Sequence, residues 1–272
     1  MKVCVVGIGN VGFPTALHIT RYHEVYGYDI DLHKVKGSSK HFFATDKWEE
    51  VPEAEVYVVC VNTWWRGYPD MSAVQAVSRK IAERATEQTL VTIESTVSLG
   101  TCRKIYREIF DEQVLLANCP HRYWSGDLVH HGVKQQRILG AIDKRSMEEA
   151  EKFYWTIQVP VYPVSSIEAS EMSKIVENTY RFIEIAYAEE VALACEKLGL
   201  IFTEIREACN TLKRQTEGWQ VQIMEARDGI GGTCLPKDIM FLCNLTNPGS
   251  LLAGAIEIDQ VYQKKRVSND EK

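Results

Sequence analysis

Near the start of the chain a strand pattern, KVCVV, runs into GIGNVG and from there directly into a helix pattern, VGFPTALHI. The spacing sets Gly7, Gly9 and Gly12 in GxGxxG register, with Ile8 between the first two and Asn10 and Val11 before the third. A second strand pattern, EVYGY, then closes at Asp29. Few folds accept this order: a glycine turn between strand and helix lets backbone approach a pyrophosphate at a helix N-terminus, and an acid at the end of the second strand accepts hydrogen bonds from a ribose. A tight turn that merely packs helix on sheet would leave Asp29 unexplained. The acid would repel a 2′-phosphate, so NAD is expected over NADP, with Lys34 and His33 close by in the sequence.

As far as about residue 160, short apolar runs (VCVVG, EVYGY, VYVVCV, LVTIE, VLLAN, RILGA) alternate with helical patterns such as Val74 to Arg84 and Thr101 to Phe110. That rhythm predicts a Rossmann-like doubly wound parallel sheet, an α/β NAD-binding domain over residues 1–160. Around Pro160 and Pro163 the alternation stops, and a helical pattern opens with Ser165 followed by Glu168 in capping-box spacing. One helix to Gly199 would be about 50 Å long at about 1.5 Å per residue. Its apolar stripe, Met172, Ile175, Val176, Ile183, Ala186, Tyr187 and Ala194, is broader than its sequence neighbours can cover. An all-α central domain with one long helix is therefore expected over 161–272, dimerising through that helix, with further helices at Thr203–Leu212 and Ser250–Lys264.

The 272 residues carry 31 Lys and Arg against 37 Asp and Glu, a net charge of -6, which argues against a nucleic-acid surface. No apolar run approaches the roughly 18 residues of a membrane span, and no signal-peptide pattern precedes the first strand, so a cytoplasmic protein is expected. Eight cysteines without a CxxC pair read as reduced thiols rather than a metal site.

Two segments carry chemistry. In GIGGTCLPKD, Gly229 to Asp238, the thiol of Cys234 stands between glycines and the Lys237/Asp238 pair, a setting for a reactive thiolate. A surface turn ended by Pro236, with Asp238 capping the next helix, is the competing reading. In the long helix Glu171, Lys174 and Asn178 share one face, where a lysine and an amide could donate to a developing alkoxide or stand in solvent with Glu171 paired to Lys174.

Taken together these motifs resemble the UDP-glucose/GDP-mannose dehydrogenases. The likeness rests on GIGNVG with Asp29, VNT at Val61–Thr63, ESTVSLGT at Glu94–Thr101, RILG at Arg137–Gly140, SEMSKIVENTYR and GGTCLPKD. It implies that a primary alcohol is oxidised twice with two NAD, the aldehyde being attacked by Cys234 to give a thiohemiacetal and then a thioester. It further implies that Lys174 and Asn178 stabilise the oxyanion, that Asp238 and a water held with Thr96 move protons, that Lys237 adds positive potential, and that Thr63 and Thr96 join Lys34 and the glycine loop around the cofactor.

The chain also departs from that pattern. His121 stands where the family carries an acid/base glutamate, and a free imidazole titrates near neutrality. VNTWW replaces VNTP, leaving Trp64 and Trp65 as a ligand platform, core aromatics or a partner contact, and RDGIGGTC keeps only half of the usual loop. The family's third, nucleotide-binding domain lies outside these residues; a substrate other than a nucleotide sugar, a separate nucleotide-binding chain or a longer protein would each account for that. Two further readings stay open: a β-hydroxyacid-type dehydrogenase transferring one hydride, for which Cys234 has no task, and a non-catalytic NAD-binding subunit or sensor.

Overall fold

The computed structural model describes residues 1–123, 126–128, 132–214, 218–246 and 250–270. The chain divides into two compact units, Met1–Lys174 and Ile175–Lys272.

The first unit is built on a single sheet. In chain order it contains β1 (Lys2–Val6), α1 (Gly12–Ile19), β2 (Glu24–Tyr28), α2 (Leu32–Ser38), β3 (Phe43–Thr45), β4 (Val56–Val59), β5 (Trp64–Trp65), β6 (Tyr68–Pro69), α3 (Ser72–Ala82), β7 (Leu90–Ile93), α4 (Thr101–Glu108), β8 (Leu115–Asn118), β9 (Arg137–Ala141), α5 (Lys144–Thr156) and β10 (Val161–Pro163). Eight strands lie in the order β10-β9-β8-β7-β4-β1-β2-β3. Because β1 has β2 on one side and β4 on the other, the chain reverses its direction of travel across the sheet at β1, and ligands of open α/β sheets bind outside the strand ends at such a point.

Strands covered on both faces read as continuous apolar runs, which is why VCVVG and VYVVCV show no polar alternation. Successive side chains still take opposite sides: Val3 and Val5 enter one core cluster, Cys4 and Val6 the other. The doubly wound parallel sheet is as expected, with one pair running the other way. β8 and β9 are antiparallel, pairing Ala117 with Ala141 and Asn118 with Gly140. Carried three residues further, that register sets Arg137 opposite His121, with consequences for the site.

The long helix α6 runs from Ile167 to Leu198, 32 residues. Its cap is Ser166, whose hydroxyl accepts the Ala169 N–H at 3.1 Å, one residue later than the expected Ser165. Glu168 does not close a capping box and pairs instead with the Arg103 guanidinium. After Leu198 the backbone turns through Gly199 at φ +68°, a conformation that glycine adopts without strain.

Beyond the division, the second unit holds the remainder of α6, α7 (Phe202–Asn210), a short β11–β12 pair (Lys213–Arg214 with Trp219–Gln220), α8 (Cys234–Leu245) and α9 (Ser250–Asp270). Its core gathers Phe182, Ala186, Ile230, Ile239 and Ala255. All eight cysteines are free thiols.

Candidate active site

The three glycines of GIGNVG have different reasons for lacking a side chain. A Cβ on Gly12 would stand 1.7 Å from the Gly7 carbonyl oxygen, and one on Gly7, at φ +89°, would meet the Cys60 carbonyl at 2.6 Å, so both are demanded by close packing of strand, turn and helix. A Cβ on Gly9 meets nothing nearer than the Lys34 ammonium at 3.7 Å. The middle glycine therefore keeps open a strip of backbone beside a cation, the place where a pyrophosphate approaches the loop. Asp29 is buried: its Oδ2 accepts the Ile8 N–H at 2.9 Å, its Oδ1 accepts the Asp31 N–H at 3.0 Å, and Lys34 Nζ lies 3.7 Å from Oδ2. Each oxygen retains a second lone pair for a ribose hydroxyl. Beside it, Ile30 is 83% exposed, a flat apolar surface that sequence reading passed over. These residues fit NAD: the Gly7–Gly12 backbone and Lys34 for the pyrophosphate, Asp29 for the ribose.

In the loop after β4, the Thr63 hydroxyl donates to the Thr96 carbonyl at 2.8 Å, tying two of the expected cofactor contacts together. The next residues make a tight hairpin in which Trp65 faces Tyr68 across the turn Arg66–Gly67, with φ +48° and +89°, and the Arg66 guanidinium lies 5.5 Å from the Trp65 ring centre. Trp65 and Tyr68 are exposed, so Trp65 is no core aromatic.

Beneath the strand ends lies a buried polar network whose roles the sequence did not disclose. Glu94, just past β7, accepts from Arg137 Nη1 at 2.8 Å and from the Tyr154 hydroxyl at 2.7 Å, and His121 Nε2 contacts the same carboxylate. Burial alone would raise the Glu94 pKa, but Arg137 and His121 hold it down at about 2. His121 moves the other way: burial, then the Arg137 charge, draws its pKa to about 4. At neutral pH the imidazole is uncharged, with Nε2 facing Glu94 and Thr15 Oγ1 and with Nδ1 lacking a hydrogen-bond partner. The near-neutral titration expected of a free histidine is displaced downward by burial and by Arg137, and His121 packs against the Glu94 carboxylate. Cys60, Glu94 and His121 place their donor atoms within 4.8 Å of one another, but Arg137 already supplies the positive charge on the Glu94 oxygen that an ion would need. The available signal was a glutamate ending one apolar strand (LVTIE) and an arginine opening another (RILGA), since charges in such places are rarely buried unless paired. His130 and His131 lie outside the described residues.

Glu171 does not pair with Lys174. Its carboxylate accepts the Gly100 N–H and, at 2.8 Å, the Cys102 N–H at the start of α4, while the neighbouring Ser170 hydroxyl donates to Asn118 Oδ1 at 2.8 Å. Two buried contacts thus fix the rotation of α6 within the first unit, and Lys174 ends that unit one turn further on.

In the second unit, Cys234 is the first residue of α8, exposed, with Thr233 at the N-cap. Pro236 falls in the first turn, where its missing N–H costs nothing. Asp238 is no cap: it lies inside the helix, buried, accepting from Asn178 Nδ2 and from Lys237 Nζ. Lys237 is buried as well, 4.5 Å from the Phe241 ring centre. Its charge is answered by Asp238, while Cys234 stands at the N-terminus of α8, the positive end of that helix's dipole.

A glycine-cradled crevice at the reversal of a doubly wound sheet, followed by a helical unit that opens one helix with an exposed thiol, defines a dinucleotide-binding α/β protein with a chemically equipped second domain. Residues 37–158 match the NAD binding domain of the UDP-glucose/GDP-mannose dehydrogenase family and residues 168–258 match its central domain, and the chain belongs to that family. It is 31% identical, over 95% of its length, to a UDP-N-acetyl-D-mannosamine dehydrogenase of Methanococcus vannielii, and it spans 65% of that relative. Among solved structures, the UDP-D-ManNAc dehydrogenase of Pyrococcus horikoshii is similar with a TM-score of 0.83 and 28% identity, covering 96% of this chain and 69% of that one. The 3-hydroxyisobutyrate dehydrogenase of Mycobacterium tuberculosis shares the fold, with a TM-score of 0.71 at 18% identity, covering 98% of this chain and 94% of that one.

Proposed function

We propose that the chain forms the cofactor-binding and catalytic part of an NAD-dependent dehydrogenase that oxidises a primary alcohol, of a sugar or nucleotide sugar, through the aldehyde to the acid. When bound, NAD supplies the hydride acceptor. The names of the relatives make UDP-N-acetyl-D-mannosamine the first substrate to try. The carrying observation is that Cys234 stands exposed at the first position of the helix that also holds Asp238, itself bonded to Asn178 and Lys237. In this reading the sulfur attacks the aldehyde carbon, forming a C–S bond and a thiohemiacetal oxyanion that takes up a proton. Loss of hydride from that carbon and of the hydroxyl proton leaves a thioester. Water then adds, and the C–S bond breaks to release the acid and the thiol. Lys174 and Asn178 would stabilise the oxyanion, and Asp238 with a water near Thr96 would carry protons.

A homodimer through α6 accompanies this reading, supported by Val176, Tyr180 and Tyr187, which leave apolar and aromatic surface exposed along the helix. A separate nucleotide-binding chain and a cytoplasmic setting fit the same picture; among the described residues no helix is long and apolar enough to cross a membrane.

The test is product stoichiometry. Wild type should yield two NADH per acid, and Cys234→Ala should yield no acid. A single NADH per turnover that ignores Cys234→Ala would favour the second reading, a one-hydride reaction on the fold shared with the hydroxyacid enzyme. NAD binding without oxidation of any alcohol in a broad panel would leave a sensor.

A further inference from the structure

The loop leading into Cys234 is stitched to α9 by a carboxylate that the proposed reaction does not use. Asp259, buried on α9, accepts the Ile230 N–H through Oδ1 at 2.8 Å. One turn on, Gln263 Nε2 donates to both Asp259 oxygens at 2.9 Å and lies 3.5 Å from the Ile230 carbonyl. The same helix face continues the seam: the Tyr262 hydroxyl donates to the Ala226 carbonyl at 3.3 Å, and Arg266 Nη2 donates to that hydroxyl at 2.7 Å. Gly229, at φ +102°, passes so close that a Cβ there would stand 2.3 Å from Gln263 Cγ. The Ile230 side chain is buried in the core of the helical unit. Only Gly231, Gly232 and Thr233 separate this anchor from the thiol, and for Gly231 and Gly232 a Cβ would meet nothing within 4 Å.

A flexible pair of glycines cannot itself decide where α8 begins. The decision falls to the fixed point before them. We infer that Asp259 is a positioning residue for Cys234: by holding Ile230, it sets the start of α8 and so keeps the sulfur at the helix N-terminus. Asp259 acts through Ile230 and does not touch the reacting atoms. The inference rests on the reading of Cys234 as the nucleophile, but its test does not need the substrate.

In the full chain, the rate at which iodoacetamide alkylates Cys234 is followed at pH 7.5 by peptide mass spectrometry, with the exposed Cys209 as internal reference. Cys234 is already exposed, so releasing the loop adds no access and takes from the sulfur only its place at the first position of α8; Asp259→Ala is expected to slow Cys234 by about fivefold or more while Cys209 is unchanged. Asp259→Asn, which retains an acceptor for Ile230, should restore most of the rate, and hydrogen exchange at Ile230 should quicken in the alanine variant alone. An unchanged Cys234 rate in Asp259→Ala, with Cys209 as reference, overturns the inference. If that variant does not fold, Gln263→Ala carries the same comparison. Slower alkylation in Asp259→Ala together with full acid formation by Cys234→Ala would uphold the positioning and overturn the nucleophile.

Discussion

Arg137 and Glu94 lie 2.8 Å apart, guanidinium to carboxylate, both almost wholly shielded from solvent and both at strand ends. Removing one partner of such a pair leaves a bare charge in a low-dielectric interior. Arg137→Met should therefore cost about 3–5 kcal/mol in urea unfolding, and Glu94→Gln should cost a similar amount, because it strands the Arg137 charge and its single amide oxygen can replace only one of the two that accept from Arg137 and Tyr154. Combining the two should recover part of the loss, since the stranded charge is gone. Additive losses would show that the pair is not coupled.

His121 and Glu94 give the fold an acid limit. With its folded pKa near 4 against an ordinary 6.5, His121 binds fewer protons in the folded than in the unfolded state between those values. Its contribution is complete above pH 6.5 and shrinks as pH falls through that window. Glu94, held at about 2 against 4.5, extends the loss below pH 4.5. Stability measured from pH 7 to pH 4 should fall, and His121→Gln, which keeps a donor toward Glu94, should flatten the upper part of that curve. A curve of unchanged slope in the variant would mean that the imidazole binds protons alike in the folded and unfolded states.

Glu189 sets the opposite slope. It is fully buried on α6, neither oxygen has a hydrogen-bond partner among the described residues, and burial with the nearby Asp259 charge pushes its pKa up to about 8. Between about 4.5 and 8 the folded state binds the extra proton, so this group makes the fold less stable as pH rises through that range. Glu189→Gln has nearly the same shape and no proton to lose. It should raise stability at pH 8.5 by about 1 kcal/mol or more, since each unit of displacement corresponds to about 1.4 kcal/mol, and should do little at pH 5. Equal effects at both pH values would trace the gain to packing instead.

These three sites also mark what the sequence could and could not convey. GIGNVG, Asp29 and the position of Cys234 beside Lys237 and Asp238 are local, and local spacing is what a sequence displays. Arg137 meets His121 and Glu94 only because β9 turns back antiparallel to β8, and a register between strands is not written in either strand alone. Asp259 meets Ile230 across 29 positions, so nothing in the sequence near either residue marks the contact. The cap at Ser166 rather than Ser165 is the same lesson at one residue's scale: two adjacent serines offer the same chemistry, and tertiary contact at Glu168 decides between them.

The glycine loop allows packing and ligand approach to be separated by a single methyl group. On Gly12 that methyl would fall 1.7 Å from the Gly7 carbonyl oxygen, backbone that cannot yield without moving α1 off β1. Gly12→Ala should destabilise the first unit by several kcal/mol, about the 1–3 kcal/mol of an overpacked core or more, and lose NAD as a consequence. On Gly9 the methyl would lie in open space beside Lys34, so Gly9→Ala should fold with a melting temperature close to wild type. Its cost falls on the ligand: a methyl where the pyrophosphate approaches should weaken NAD by about tenfold or more in a calorimetric titration, about 1.4 kcal/mol per decade. Adenosine, which carries no pyrophosphate, should bind Gly9→Ala and wild type alike. If Gly9→Ala bound NAD as tightly as wild type does, the open strip of backbone would not be the pyrophosphate site, and the cofactor would have to lie elsewhere along the strand ends.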